Sequence, residues 1–199
     1  MISEKRQKEL KHFLERNNVS VEKYELINSS LTHPSYIFEK DIKKTQHNQR
    51  LEFLGDAVVG LVIGEYLYER FPEKKEGLLT KMRAAIVCES SLAAGARKIN
   101  LGKYILMGKG EMMGGGENRS SNLADAWEAL CGAIYLERGL LVVKSFILNS
   151  LYEAIDDVVK GNFGDFKTRL QEIVQKAPEQ EIEYRILKEN GPDHDKDFI

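Results

Sequence analysis

Apolar positions along the first 160 residues recur at helical spacing. Leu10, Phe13 and Leu14 fall on one face of a helix predicted over Glu4–Arg16, which Asn17 and Asn18 stop. A second helix is predicted from Val21 to Leu31, and the polar run "FEKDIKKTQ", Phe38 to Gln46, reads as a loop. From His47 to Arg70 the chain reads as a long, strongly apolar helix, closed by Pro72, which cannot continue it. Gly55, Gly60 and Gly64 would each cost that helix about 1 kcal/mol relative to alanine, so close backbone packing is expected to offset them. Further helices are predicted over Glu76–Lys98, Asn122–Glu137 and Val142–Val159. No strand pattern is convincing before residue 178, so residues 1–160 read as one all-α domain.

The pattern changes at "GNFGDF", where residues 161–164 read as a small-residue linker. A short helix over Asp165–Lys176 is predicted next. In "EQEIEYRILKEN", Ile182, Tyr184 and Ile186 then alternate with Glu181, Glu183 and Arg185 at the period of a strand. Asn190, Gly191 and Pro192 make a turn, and "DKDFI" opens another strand. A helix with one and a half strands cannot bury a core of its own, so residues 165–199 are expected to be mobile or to borrow contacts.

Composition narrows the function classes. The 199 residues are 42% hydrophobic and 30% charged with a net charge of −2, which describes a soluble globular chain and excludes one whose whole surface binds polyanions. Any nucleic-acid site must be a local face. Cys88 and Cys131, the only two cysteines, stand in apolar contexts outside any Cys/His cluster and read as buried, reduced thiols of a cytoplasmic protein. The charged start "MISEKRQKELKHF" lacks the apolar core of a signal peptide, and no apolar run is long enough to span a bilayer, so no membrane partner is expected.

Against this background two acid pairs stand out. Glu52 and Asp56 are the only ionisable side chains between Leu51 and Ile63, and at i, i+4 they project from one helix face about 6 Å apart. "LADAWEALCGAIYL" repeats the oddity with Asp125 and Glu128 at i, i+3. Each pair alone could sit at a solvated helix edge. If the two helices pack together, four carboxylates meet in a low-dielectric cleft and repel one another unless a divalent cation compensates them. An all-oxygen donor set points to Mg²⁺ or Mn²⁺ and away from zinc. Such a site suits phosphodiester hydrolysis.

On these residues the sequence resembles bacterial ribonuclease III, the endonuclease that cuts double-stranded RNA. "HNQRLEFLGDAVVG" from His47 matches the family signature and "LADAWEALCGAIYL" from Leu123 its second acidic motif; "LTHPSY", "FPEKKEGLLTKMRAAIV" and "GKGEMMGGG" match the intervening segments in order. The resemblance implies that Glu52, Asp125 and Glu128 ligate Mg²⁺, with Mn²⁺ as a substitute, and that Asp56 and Glu128 are essential for catalysis. It implies an all-α homodimer with one acidic centre per subunit. Each centre would cut one strand, leaving 5′-phosphate and 3′-hydroxyl ends with a two-nucleotide 3′ overhang, in the processing of rRNA precursors and mRNA. Phe53 resembles the aromatic that plugs a socket in the partner subunit.

Gln49 departs from the family, most members of which carry glutamate there; rate or site preference is expected to change while the chemistry remains. Glu76 matches an accessory acid, although a surface glutamate near a helix start reads equally well. Residues 165–199 resemble the start of a double-stranded RNA-binding domain, with Thr168, Gln171 and Glu172 at the groove-contacting positions of its first helix and His194 in the "GPDH" loop. "MMGGGENRSS" reads as a flexible connector capped by Ser121 or Asn122, in which Lys109 and Arg119 could touch phosphates, and His33 reads as a turn residue. Two other readings stay open: a non-cleaving RNA-binding scaffold on the same fold, and a different metal phosphohydrolase using the same acids.

Overall fold

A computed structural model of the chain describes residues 2–40 and 47–163, residue 174, and residues 189–190 and 197–198. The backbone divides into two compact units, Met1–Phe163 and Gly164–Ile199. Among the described residues the first unit is all helical: α1 (Glu4–Arg16), α2 (Glu25–Ser30), α3 (Pro34–Lys40), α4 (Gln49–Arg70), α5 (Glu76–Ile86), α6 (Glu89–Lys98), α7 (Lys109–Met113), α8 (Ser120–Ser150) and α9 (Tyr152–Val159). In the second unit β1 (Glu189–Asn190) pairs antiparallel with β2 (Asp197–Phe198), Glu189 opposite Phe198. Thr168, Gln171, Glu172 and His194, with most of the helix, first strand and turn predicted around them, lie outside the described residues; of those elements only residue 174, which is helical, and residues 189–190 are described.

The centre of the first unit is α4 laid along α8, with α2 and α6 also against α8 and α5 against α4. The two long helices touch backbone to backbone. A Cβ on Gly55 would lie 1.8 Å from the carbonyl oxygen of Glu128, and one on Gly132 would lie 2.4 Å from that of Leu51. Only glycine permits this approach, which repays the helix cost of Gly55 through packing. Gly60 differs: a Cβ there would meet nothing within 4 Å, so intrachain packing does not explain it. Fully buried Trp127 on α8 stacks on Phe146, ring centroids 6.1 Å apart, in a core shared with Val59, Val62 and Ile63 of α4.

Several boundaries differ from those predicted, each for a local reason. The segment over Glu76–Lys98 is two helices, because Cys88 is extended (ψ 155°) and the polar "CESS" run bonds the backbone it interrupts, Ser91 Oγ donating to the Ala85 carbonyl at 3.1 Å. The predicted break between Glu137 and Val142 is present: α8 is two helical stretches divided by a kink at Gly139, whose backbone is non-helical (φ 75°, ψ −179°), a conformation that glycine takes without strain. A further break, not predicted, falls at Leu151, where Ser150 Oγ donates back to the Phe146 carbonyl at 2.9 Å. Residues 38–40, read as loop, complete α3, which Pro34 starts at the position where its missing N–H costs nothing. The second helix shortens to Glu25–Ser30. Cys131 is buried, but Cys88 is exposed at the α5–α6 break, correcting its reading as a core thiol.

Candidate functional site

The Gly55–Glu128 contact builds the site. Glu52 and Asp56 flank Gly55 on α4, and Glu128 contributes the very carbonyl that Gly55 touches, so the two acid pairs are brought together by main-chain contact. Burial, then the charges of Asp56, Glu52 and Asp125, push the Glu128 carboxyl up to about 7. Burial and then Asp125 raise Glu52. Burial and then Glu89 raise Asp125, opposed by His33. The four acids are therefore one electrostatic unit.

Among the described residues no ion pair neutralises any of the four. Among the described residues, no three His, Cys, Asp or Glu side chains are gathered closely enough to hold a metal ion as they stand. An open set of uncompensated carboxylates fits Mg²⁺, which keeps several waters and takes substrate phosphate as a further ligand. It lacks the histidine and cysteine donors that zinc sites usually include.

The other predicted residues are placed separately. Gln49 is the exposed first residue of α4. Glu76 opens α5, exposed, and its carboxylate accepts the Thr80 hydroxyl at 2.8 Å; it is not among the charges acting on Glu52, Asp125 or Glu128. Phe53 is 82% exposed.

Comparison with known proteins agrees with this geometry. The Ribonuclease-III-like family profile matches residues 23–155. The chain belongs to the ribonuclease III family. It is 51% identical to Ribonuclease 3 of Syntrophomonas wolfei over 94% of this chain and 79% of that one, and 45% identical to Ribonuclease 3 of Moorella thermoacetica over 99% and 84%. Among solved structures, the nuclease domain of ribonuclease III from Campylobacter jejuni, described for flexibility in its dimer-forming region, matches with a TM-score of 0.68 and 40% identity. That match covers 74% of this chain and 99% of that domain. Dicer from Pichia stipitis matches at 0.51 with 27% identity over 73% and 61%. This ribonuclease III chain is thus an endoribonuclease, of a family that cuts double-stranded RNA with the help of a divalent metal.

The structure adds residues to this ribonuclease III centre that sequence reading passed over. Glu89, in the first turn of α6, acts on Asp125. Glu111 on α7 accepts Arg119 Nη1 at 2.5 Å and Asn122 Nδ2 at 2.8 Å, so the glycine-rich segment is a bonded turn instead of a loose connector. Asn122 also donates to the Gly116 carbonyl at 3.0 Å, while α8 begins at Ser120 with no side-chain cap. Arg119, a candidate for phosphate, is committed to Glu111. The lone acid in "GKGEMMGGG" was the signal available for Glu111; Glu89 had none beyond its place at a helix start.

Proposed function

We propose that the chain hydrolyses phosphodiesters of double-stranded RNA with Mg²⁺, as a homodimer with one acidic centre per subunit, leaving 5′-phosphate and 3′-hydroxyl ends and two-nucleotide 3′ overhangs. The observation that carries this reading is the gathering of four unneutralised carboxylates around the Gly55–Glu128 backbone contact. Glu52, Asp125 and Glu128 would hold the cation, for which Mn²⁺ is a substitute, and Asp56 with Glu128 would act at the reacting atoms. Bound there, the cation would supply positive charge to the phosphoryl oxygen and lower the pKa of a water. The chain's part is to hold the carboxylates rigidly on two helices and, through Asp56 and Glu128, to orient the attacking water and receive its proton.

The homodimer reading rests on α4. Phe53, Ala57, Leu61 and Tyr68 are exposed, and with Gly60 and Gly64 they form an apolar and small-residue stripe along the helix, beside the acid-bearing face. Two such helices packed antiparallel about Gly60–Leu61 would give Gly60 the close neighbour it lacks within the chain. Phe53 lies as far before that point as Tyr68 lies after it. It would then reach a cleft of about 600 Å³ lined by Leu67, Tyr68, Phe71 and Leu79. Thr168, Gln171, Glu172 and His194 would add groove contacts, with Gln49 and Glu76 as accessories. The cellular setting would be the cytoplasm, and the substrates rRNA precursors and mRNAs; no described helix is long and apolar enough to cross a membrane.

End-labelled duplex RNA incubated with Mg²⁺ or EDTA, beside Glu128→Gln, tests the reading. Staggered short duplexes from the wild type with metal only are expected. Losing a ligand worth several kcal/mol of charge stabilisation should slow Glu128→Gln about a thousandfold or more. Intact RNA that is nevertheless shifted on a gel would make the protein a scaffold.

A further inference from the structure

The cleft proposed to receive Phe53 of the partner subunit has a polar rim as well as an apolar floor. Lys74, Glu76, Thr80 and Arg83 line it beside Leu67 and Phe71. Three of the polar groups are engaged within the chain: Lys74 Nζ lies 5.1 Å from the centre of the Phe71 ring, and Glu76 accepts the Thr80 hydroxyl at 2.8 Å. Arg83 differs. It is exposed on α5, and among the described residues no hydrogen bond or ion pair engages its guanidinium.

Two observations fix where that guanidinium stands on α4. A Cβ on Gly64 would lie 3.9 Å from Arg83 Nη1, so the charge lies against the small-residue stripe. Leu67, which lines the same cleft, follows Asp56 by three turns at about 3.6 residues per turn, so the two share one side of α4. Arg83 therefore reaches the stripe from the acid-bearing side.

The two-fold axis proposed between Gly60 and Leu61 carries this charge to the other centre. Gly64 stands as far after that point as Ala57 stands before it, so each Gly64 faces Ala57 of the partner subunit. Ala57 adjoins Asp56, which is exposed and, among the described residues, has no hydrogen bond or ion pair. An axis that makes two facing helices antiparallel runs across the pair, and so leaves both acid-bearing sides turned the same way. Arg83 of one subunit thus comes beside Asp56 of the partner subunit, and the symmetry supplies the reverse contact.

We infer that Arg83 is a positioning residue acting across the interface, its guanidinium holding one carboxylate oxygen of the partner subunit's Asp56 while the other oxygen faces the attacking water. The assignment rests on the homodimer and the acidic centre proposed above. Within its own chain Asp56 has the like charge of Glu128 beside it and, among the described residues, no cation that pairs with it. A guanidinium suits the place, because it stays charged and its planar fork holds a carboxylate in one orientation. Each centre would then be complete only in the dimer.

Mixed dimers of the full chain, isolated by two affinity tags, test it. One protomer carries Glu128→Gln, so that only the other centre cuts, and Arg83→Ala is placed on either protomer. On the silenced protomer it should slow strand cleavage at saturating RNA and Mg²⁺ about 10- to 100-fold, the cost of a misplaced catalytic group. On the cutting protomer, where Arg83 faces the silenced centre, it should not. Arg83→Lys on the silenced protomer, which keeps the charge without the fork, should recover part of the rate. In sedimentation equilibrium of the metal-free protein, Arg83→Ala should raise the dimer Kd about 5- to 30-fold through the loss of two symmetric ion pairs, and should add little to Asp56→Asn. No slowing from either protomer, equal slowing from both, or slowing from the cutting protomer alone overturns the inference, as does an effect on Kd that survives Asp56→Asn. A loss of RNA affinity with the saturated rate intact would give Arg83 to an RNA phosphate and overturns it too. A wild type that stays monomeric overturns the homodimer reading, and a dimer that cleaves at no Mg²⁺ concentration overturns the nuclease reading; either takes the inference with it.

Discussion

Glu128 stands where every element of the site meets. Its carboxyl, pushed up to about 7 by burial and then by Asp56, Glu52 and Asp125, binds its proton more tightly in the folded chain than in the unfolded one. The sign is the reverse of the usual acid: the stabilisation is complete below the ordinary value of 4.5 and is lost as pH rises through about 7. In EDTA the thermal midpoint should therefore fall between about pH 5 and pH 8 through this group. Glu128→Gln should flatten the fall, and Mg²⁺, which binds only the folded site, should restore the midpoint at pH 8. A wild-type slope equal to that of Glu128→Gln would contradict this electrostatic picture. The acid pairs could be read from the sequence because both members of each lie on one helix, at spacings that fix their common face. His33 and Glu89 could not, because their influence on Asp125 depends on a bridge at Leu106 and on a helix start that no local period encodes.

Glycines separate what α4 does within the chain from what it offers outward. Gly55→Ala would place a methyl 1.8 Å from the Glu128 carbonyl and force α4 from α8. A loss of about 3 kcal/mol or more in denaturant unfolding is expected, beyond ordinary overpacking. Gly60→Ala meets nothing within 4 Å. It should stabilise the isolated chain by up to about 1 kcal/mol through helix propensity while weakening self-association measured by sedimentation. Equal effects of the two substitutions on unfolding would refute the distinction. The existence of α1 and α4 followed from their apolar spacing. The kink at Gly139 followed from it too, whereas the breaks at Cys88 and Leu151 escaped it, because they are made by serine side chains bonding backbone carbonyls.

For the whole molecule the proposed homodimer would bring two acidic centres together. Phe53 and Tyr68 are both exposed on α4, and burying a phenylalanine gives about 1.5–3 kcal/mol. A two-fold axis counts it twice, so Phe53→Ala should weaken the dimer by about 3–6 kcal/mol, a factor of about 10² to 10⁴ in Kd. Sedimentation equilibrium reads that change, and an unaltered Kd would place the interface elsewhere. The most direct test of one centre per subunit uses a mixed dimer of one wild-type and one Glu128→Gln protomer, isolated by two affinity tags and given a duplex RNA labelled on both strands. The mixed dimer should nick one strand of each duplex in Mg²⁺ and leave the other intact. Cleavage of both strands as by the wild type, or of neither, would contradict the pairing of one four-acid centre with each cut.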